Sequence, residues 1–237
     1  MSTETIRYQD GNVTLEGFVA YPQSSAPTPA VLIAPAWAGR DHFACAKAEA
    51  LAELGYVGFA LDMYGDAKVG TSVQENSLLM TPFMQDREAL RRRITAALET
   101  VRSLKQVDKK RIAAMGFCFG GLCALDLARS GADILGVVSF HGLLAAPKES
   151  PNKKILAKIL ALHGYDDPMG PPDQLVAFAN EMTQSEVDWQ VHAYGNTQHA
   201  FTNPEAHDEK LGLIYNQLAE KRSWQAMQNF FAEIFRN

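Results

Sequence analysis

The chain of 237 residues has only three cysteines, Cys45, Cys118 and Cys123, and no Cys-x-x-Cys pair. Three are too few for a disulfide framework and point to a reducing compartment. Its six histidines are scattered, with no His-Glu-x-x-His run, so no metal site is expected. A glycine loop with the lysine that cradles phosphate is also missing. No basic stripe is present: Arg91-Arg92-Arg93 stands among Asp86, Glu88 and Glu99 and reads as a solvated helix face rather than a nucleic-acid surface. No apolar run approaches the length that spans a bilayer. The start, Met1-Ser-Thr-Glu-Thr-Ile-Arg, lacks the charged and apolar segments of a signal peptide. The expectation is a cytoplasmic protein with neither nucleic acid nor membrane as partner. At 47% hydrophobic, with a net charge of −5, the chain can bury a full core in one domain over residues 1–237.

Strand and helix patterns alternate along it. Glu4–Gln9 and Val13–Tyr21 read as strands joined by the hairpin turn Asp10-Gly11. A linker, Pro22 to Pro29, leads into Ala30–Ala34, an apolar run that fits a buried parallel strand. Asp41 to Leu54 reads as a helix that Gly55 ends, and Tyr56–Asp62 as a strand. Tyr64 to about Pro82 has no clean period and reads as a long functional loop. Met84–Lys105 reads as one helix with Leu90, Ile94, Ala97, Leu98 and Val101 on one face. Strands are expected at Arg111–Met115, Ile134–Phe140, Ile159–His163 and from Trp189. A helix follows Pro171-Pro172, and another closes the chain with Trp224, Met227, Phe231 and Ile234 on one face. This alternation predicts an α/β fold, a mostly parallel central sheet with helices on both faces and an N-terminal antiparallel hairpin.

The most informative stretch is Gly116-Phe117-Cys118-Phe119-Gly120-Gly121, directly after an apolar strand. A strand, a glycine-flanked turn and a small-residue helix form the layout of the nucleophile elbow, G-x-S-x-G in α/β-hydrolases, here with cysteine at its centre. A thiol at a helix N-terminus feels the positive end of the helix dipole, which favours the nucleophilic thiolate. Against this stands the usual fate of a free cysteine, burial as a small hydrophobe; Cys45 and Cys123 read that way.

In α/β-hydrolases the acid and then the histidine follow the nucleophile along the chain. The turn Gly164-Tyr165-Asp166-Asp167 and the loop Gln198-His199-Ala200-Phe201 each follow a strand, so Cys118, Asp167 and His199 fall on the strand edge where open α/β sheets bind ligands. Counting from Gly164 selects Asp167 as the acid and leaves Asp166 as a turn residue. His163 is expected to satisfy backbone groups, and His42, His192 and His207 to have surface or capping roles. His141 also ends a strand on the functional edge and is a candidate pocket residue.

With these three motifs together the chain resembles the dienelactone hydrolase family, from the hairpin to the final helix. Ile33-Ala-Pro-Ala-Trp-Ala-Gly39 and Leu61-Asp62-Met63-Tyr64 add to the resemblance. It implies an α/β-hydrolase fold, a Cys118-His199-Asp167 triad acting on a small-molecule ester or lactone without a cofactor, and an oxyanion hole from the backbone N–H groups of Phe119 and Trp37. Family members of the chlorocatechol pathway carry a glutamate where this chain has Ala36 and a substrate-binding arginine where it has Asn203. Substrate specificity is expected in the Tyr64–Pro82 loop, with Tyr64, Met80, Phe83 and Met84 as an apolar wall beside Ala36, His141 and Asn203. That pocket suits neutral acyl groups better than the anionic dienelactone.

Two other classes compete. Glutamine amidotransferases also place a cysteine in an elbow, but no His-x-Glu follows His199. A non-catalytic or weakly catalytic binding or sensor protein on the same fold is the other, since fold does not fix function; stoichiometric labelling without turnover would mark it.

Overall fold

Thr28–Ala34 (β3) is buried along its last five residues, as a strand covered on both faces must be. Its successive side chains divide between two cores: Ala30, Leu32 and Ala34 join one cluster, Val31 and Ile33 the other. That alternation fixes β3 at the centre of a two-faced sheet.

The computed structural model describes residues 1–147 and 153–236. Strands β1 (Ser2–Asp10) and β2 (Val13–Tyr21) form the expected antiparallel hairpin. They lead to β4 (Val57–Ala60), β3, β5 (Val107–Phe117), β6 (Gly136–Phe140), β7 (Lys158–Gly164) and β8 (Trp189–Tyr194), in the spatial order β1-β2-β4-β3-β5-β6-β7-β8. From β4 to β8 every pairing is parallel. Helices α1 (His42–Glu53) and α6 (Gln217–Ile234) cover one face, through Leu51, Met227 and Phe231. Helices α3 (Arg87–Ser103), α4 (Phe119–Arg129) and α5 (Pro172–Gln184) cover the other, through Leu90, Ile94, Leu122 and Phe178. This is the α/β-hydrolase arrangement.

Three expectations need correction. The stretch read as a loop to Pro82 contains a helix, α2 (Val73–Gln85), and the single helix from Met84 is two, because the chain breaks at Asp86. Asp86 ends α2 and caps α3, its carboxylate accepting from Ala89 N–H at 2.9 Å. Ser72 caps α2 by accepting from Glu75 N–H at 3.2 Å, and Glu75 reaches back to Thr71 N–H at 2.8 Å. The Ser-x-x-Glu spacing is the capping-box signature. The arginine run is not a solvated face. Arg91 and Arg93 are buried, and Arg93 Nε bonds the Asp10 carboxylate at 2.9 Å while its guanidinium lies over the Phe83 ring. Last, the segment after His199 holds a two-stranded sheet, β9 (His207–Asp208) with β10 (Leu213–Ile214), where no strand was expected from the sequence.

Candidate active site

Cys118 sits between β5 and α4 with φ at 55°, a conformation most side chains avoid. The tightness of the turn explains its glycines. A Cβ on Gly116 would lie 2.0 Å from Gly120 O, and one on Gly120 would lie 2.0 Å from Ala34 O. The second contact presses the elbow against the start of the loop after β3, the loop that carries Trp37. Neither Phe119 N–H nor Trp37 N–H donates to an acceptor among the described residues, whereas the Cys118 and Gly121 amides do. The Trp37 carbonyl is held at 2.8 Å by the Tyr64 hydroxyl, and the Tyr64 ring stacks on Phe119 with an interplanar angle of 12°.

Asp167 and His199 arrive on loops after β7 and β8. Asp167 Oδ2 lies 2.7 Å from His199 Nδ1, and its Oδ1 accepts from Met169 N–H at 2.8 Å. Asp166 points elsewhere, accepting from Thr197 N–H at 3.2 Å. The His199 loop is tied to β10 by Ile214 N–H donating to His199 O at 3.0 Å. His199 is wholly buried, and its Nε2 has no formed hydrogen bond. Burial works against the imidazolium, but the charge of a Cys118 thiolate and the contacts to Asp167 and Cys118 outweigh it and raise His199 to about 10. The sulfur thus couples to Nε2 electrically, while the resting geometry falls short of a formed bond, as is common before substrate binds.

These groups meet at a cavity of about 320 Å³ lined by Cys118 and His199 and by Trp37, Phe43 and Phe117. Of the expected pocket residues, Ala36, Met80, His141 and Asn203 line it. Tyr64, Phe83 and Met84 do not: they pack against the core, Tyr64 and Phe83 beside Phe119, so the apolar wall is one layer deeper than its sequence position suggests. Asp41, Glu205 and Asp208 line the cavity and were not foreseen, nor was Thr202. The β9–β10 segment brings in Asp208, and nothing in the local sequence marks that return. Among the described residues no lysine or arginine lines the cavity. Arg87 is committed to Asp126 at 2.8 Å and Arg40 to Glu16 O at 2.7 Å. Lys47 lies over the Phe43 and Trp224 rings, 3.7 Å from Glu220.

The remaining histidines divide. His163 Nε2 bonds Gly170 O at 2.7 Å, His192 is exposed on β8, and His42 is exposed 3.8 Å from Glu205. His207 is exposed but lines the cavity. Cys45 is half-buried at 3.5 Å from Arg40, and Cys123 is fully buried. Among the described residues no group of three or more His, Cys, Asp or Glu could hold a metal ion, and no helix is long and apolar enough to cross a membrane.

Residues 15–235 match the model of the dienelactone hydrolase family. The crystal structure of a dienelactone hydrolase-like promiscuous phosphotriesterase from metagenomic libraries superposes with a TM-score of 0.94 at 37% identity, covering 99% of both chains. A putative carboxymethylenebutenolidase of Aquifex aeolicus is 24% identical over 96% of this chain and 97% of its own. A probable 2-oxo-3-(5-oxofuran-2-ylidene)propanoate lactonase of Bradyrhizobium sp is 27% identical over 94% of this chain and 93% of its own.

Proposed function

Because the chain belongs to the dienelactone hydrolase family, and so to the hydrolases of ester and lactone bonds, we propose that it cleaves neutral carboxylic esters through Cys118, His199 and Asp167, as a single-domain cytoplasmic enzyme. One observation carries the reading: a buried imidazole bound through Nδ1 to a carboxylate, with its other nitrogen unpartnered beside a thiol at the cavity wall.

The steps follow from that arrangement. His199 Nε2 takes the thiol proton, and Asp167 holds the Nδ1 proton in place and stabilises the imidazolium. The thiolate adds to the ester carbonyl carbon, and the carbonyl electrons move to oxygen. The N–H groups of Phe119 and Trp37, unspent in the resting enzyme, are the donors for that oxyanion. Collapse expels the alkoxide, which takes the proton from His199, and leaves a thioester on Cys118. His199 then removes a proton from water as it attacks the thioester, and the acid and the free thiol are released.

The substrate's charge follows from the lining. A carboxylate buried without a cation costs several kcal/mol, and apart from His199, whose charge is matched by Asp167 and Cys118, the charged side chains at this cavity are the acids Asp41, Glu205 and Asp208. Neutral short-chain esters or lactones are therefore favoured over carboxylate-bearing dienelactone. A second reading, turnover of neutral phosphotriesters, is favoured by the absence of a lining lysine or arginine among the described residues and by the likeness to the promiscuous phosphotriesterase at 37% identity.

The test is intact-mass analysis during turnover of a p-nitrophenyl ester. An acyl adduct that maps to Cys118 and is absent from Cys118→Ala, with burst kinetics and then steady release, is the expected result. Full activity in Cys118→Ala would overturn the reading, and labelling without turnover would favour the binding-protein class. A dialkyl p-nitrophenyl phosphate run alongside decides the second reading.

A further inference from the structure

We propose that His141 is a positioning residue for Cys118, a neutral imidazole that ties the nucleophile's own amide to the loop bearing His199. This rests on the assignment of Cys118 as the nucleophile. Cys118 N–H is shared between Phe140 O at 3.0 Å and His141 Nδ1 at 3.1 Å. On the far side of the ring, Nε2 lies 2.8 Å from the hydroxyl of Thr202, three residues past His199. An amide can only donate, so Nδ1 is the acceptor and the ring proton sits on Nε2, donating to Thr202.

Satisfying a buried amide does not account for this ring. The ladder bond to Phe140 O already satisfies Cys118 N–H, and an apolar side chain would fill the space between Phe117 and Phe201 as well. The position carries a cost besides: His141 is buried with φ at 38°, a conformation that non-glycine residues rarely adopt. What the imidazole adds is a rigid link across the site. One end fixes the elbow amide, and with it the direction in which the Cys118 side chain leaves the backbone. The other end fixes the chain three residues from His199, whose ring meets His141 edge to face at 5.1 Å. Burial and the neighbouring positive charge of His199 push the His141 imidazole well below its ordinary value, so Nδ1 stays an acceptor.

Steady-state kinetics on a p-nitrophenyl ester test this with two pairs of variants. His141→Leu should lower kcat about 10²-fold, the scale of a misplacement near 1 Å, while KM changes by less than about threefold. His141→Asn should recover part of that loss, because its Oδ1 can accept from the Cys118 amide and asparagine tolerates positive φ, while its shorter side chain leaves Thr202 unlinked. Thr202→Val should lower kcat in the same direction and Thr202→Ser should restore it, a comparison that stands even where His141→Leu does not fold. Wild-type kcat in His141→Leu, equal deficits in the leucine and asparagine variants, or equal kcat in the two Thr202 variants would overturn the proposal. An inactive Cys118→Ala beside an unimpaired His141→Leu would remove this inference alone; an active Cys118→Ala would remove the assignment beneath it as well.

Discussion

Two imidazoles stand 5.1 Å apart at the floor of the cavity, both buried, and their protonation is driven in opposite directions. His199 is raised to about 10, while His141 is held well below its ordinary value. Burial opposes the charged form in both. The partners make the difference: His199 faces a carboxylate and a thiol able to carry negative charge, whereas His141 faces an amide N–H and a hydroxyl. Desolvation alone would make both neutral, so His199 can hold a proton only because anionic partners surround it. The neutral ring beside it can then act as scaffold without competing for the proton.

Removing the carboxylate should break the comparison most severely. Asp167→Asn keeps the side-chain shape but favours the wrong tautomer of His199, a change worth about 10⁴-fold in kcat in serine triads. Asp166→Asn, at a carboxylate that accepts from the Thr197 amide rather than facing His199, should cost less than about tenfold. Ester turnover by the two variants ranks them, and the reverse order would move the acid by one residue.

The second way to break it is to remove the thiolate. In Cys118→Ala the imidazole keeps Asp167 but loses its largest charge-raising partner, so burial weighs more and its value must fall below about 10. His141 is held down first by burial and only second by the charge of His199, so it should move far less than His199 does. Imidazole ¹⁵N NMR across a pH series reads both rings in one sample. A His199 titration unchanged by the alanine would show that sulfur and ring do not form a charge pair.

The contrast also marks what a sequence can tell. The elbow was readable because its logic is local: Gly116 and Gly120 are needed within four residues of each other by contacts made inside the turn and with Ala34. That Asp167 rather than Asp166 meets His199 was readable from its distance to Gly164. Helix α2 was not, since it exposes Val73 and Leu78 while burying Asn76, which leaves no clean apolar stripe; its Ser72-x-x-Glu75 cap was the signal available. The arginine run was misread because Arg93 finds its acid at Asp10, 83 residues away. The His141 to Thr202 contact spans 61 residues. Only the sheet order, which sets β6 beside both β5 and β7, brings such groups together.

The smallest expected effect lies in stability and isolates the neutral member of the pair. In the unfolded chain His141 titrates near 6.5. Folded, it stays neutral below that pH, so the unfolded state binds the extra proton as acid is added. The folded state is then undisturbed by this group above pH 6.5 and loses stability as pH falls below it, toward the depressed folded value. Over pH 7 to 5 the loss can reach about 2 kcal/mol, the limit for a buried histidine that takes up no proton at all when folded. Other groups contribute to the acid slope, His163 among them, since burial lowers it too; comparing wild type with His141→Asn cancels them. Urea unfolding at the two pH values should therefore show the wild type losing more stability than the variant, by up to about 2 kcal/mol. Parallel losses would mean that His141 takes up its proton in the folded state, and the two imidazoles would then differ in partner but not in charge.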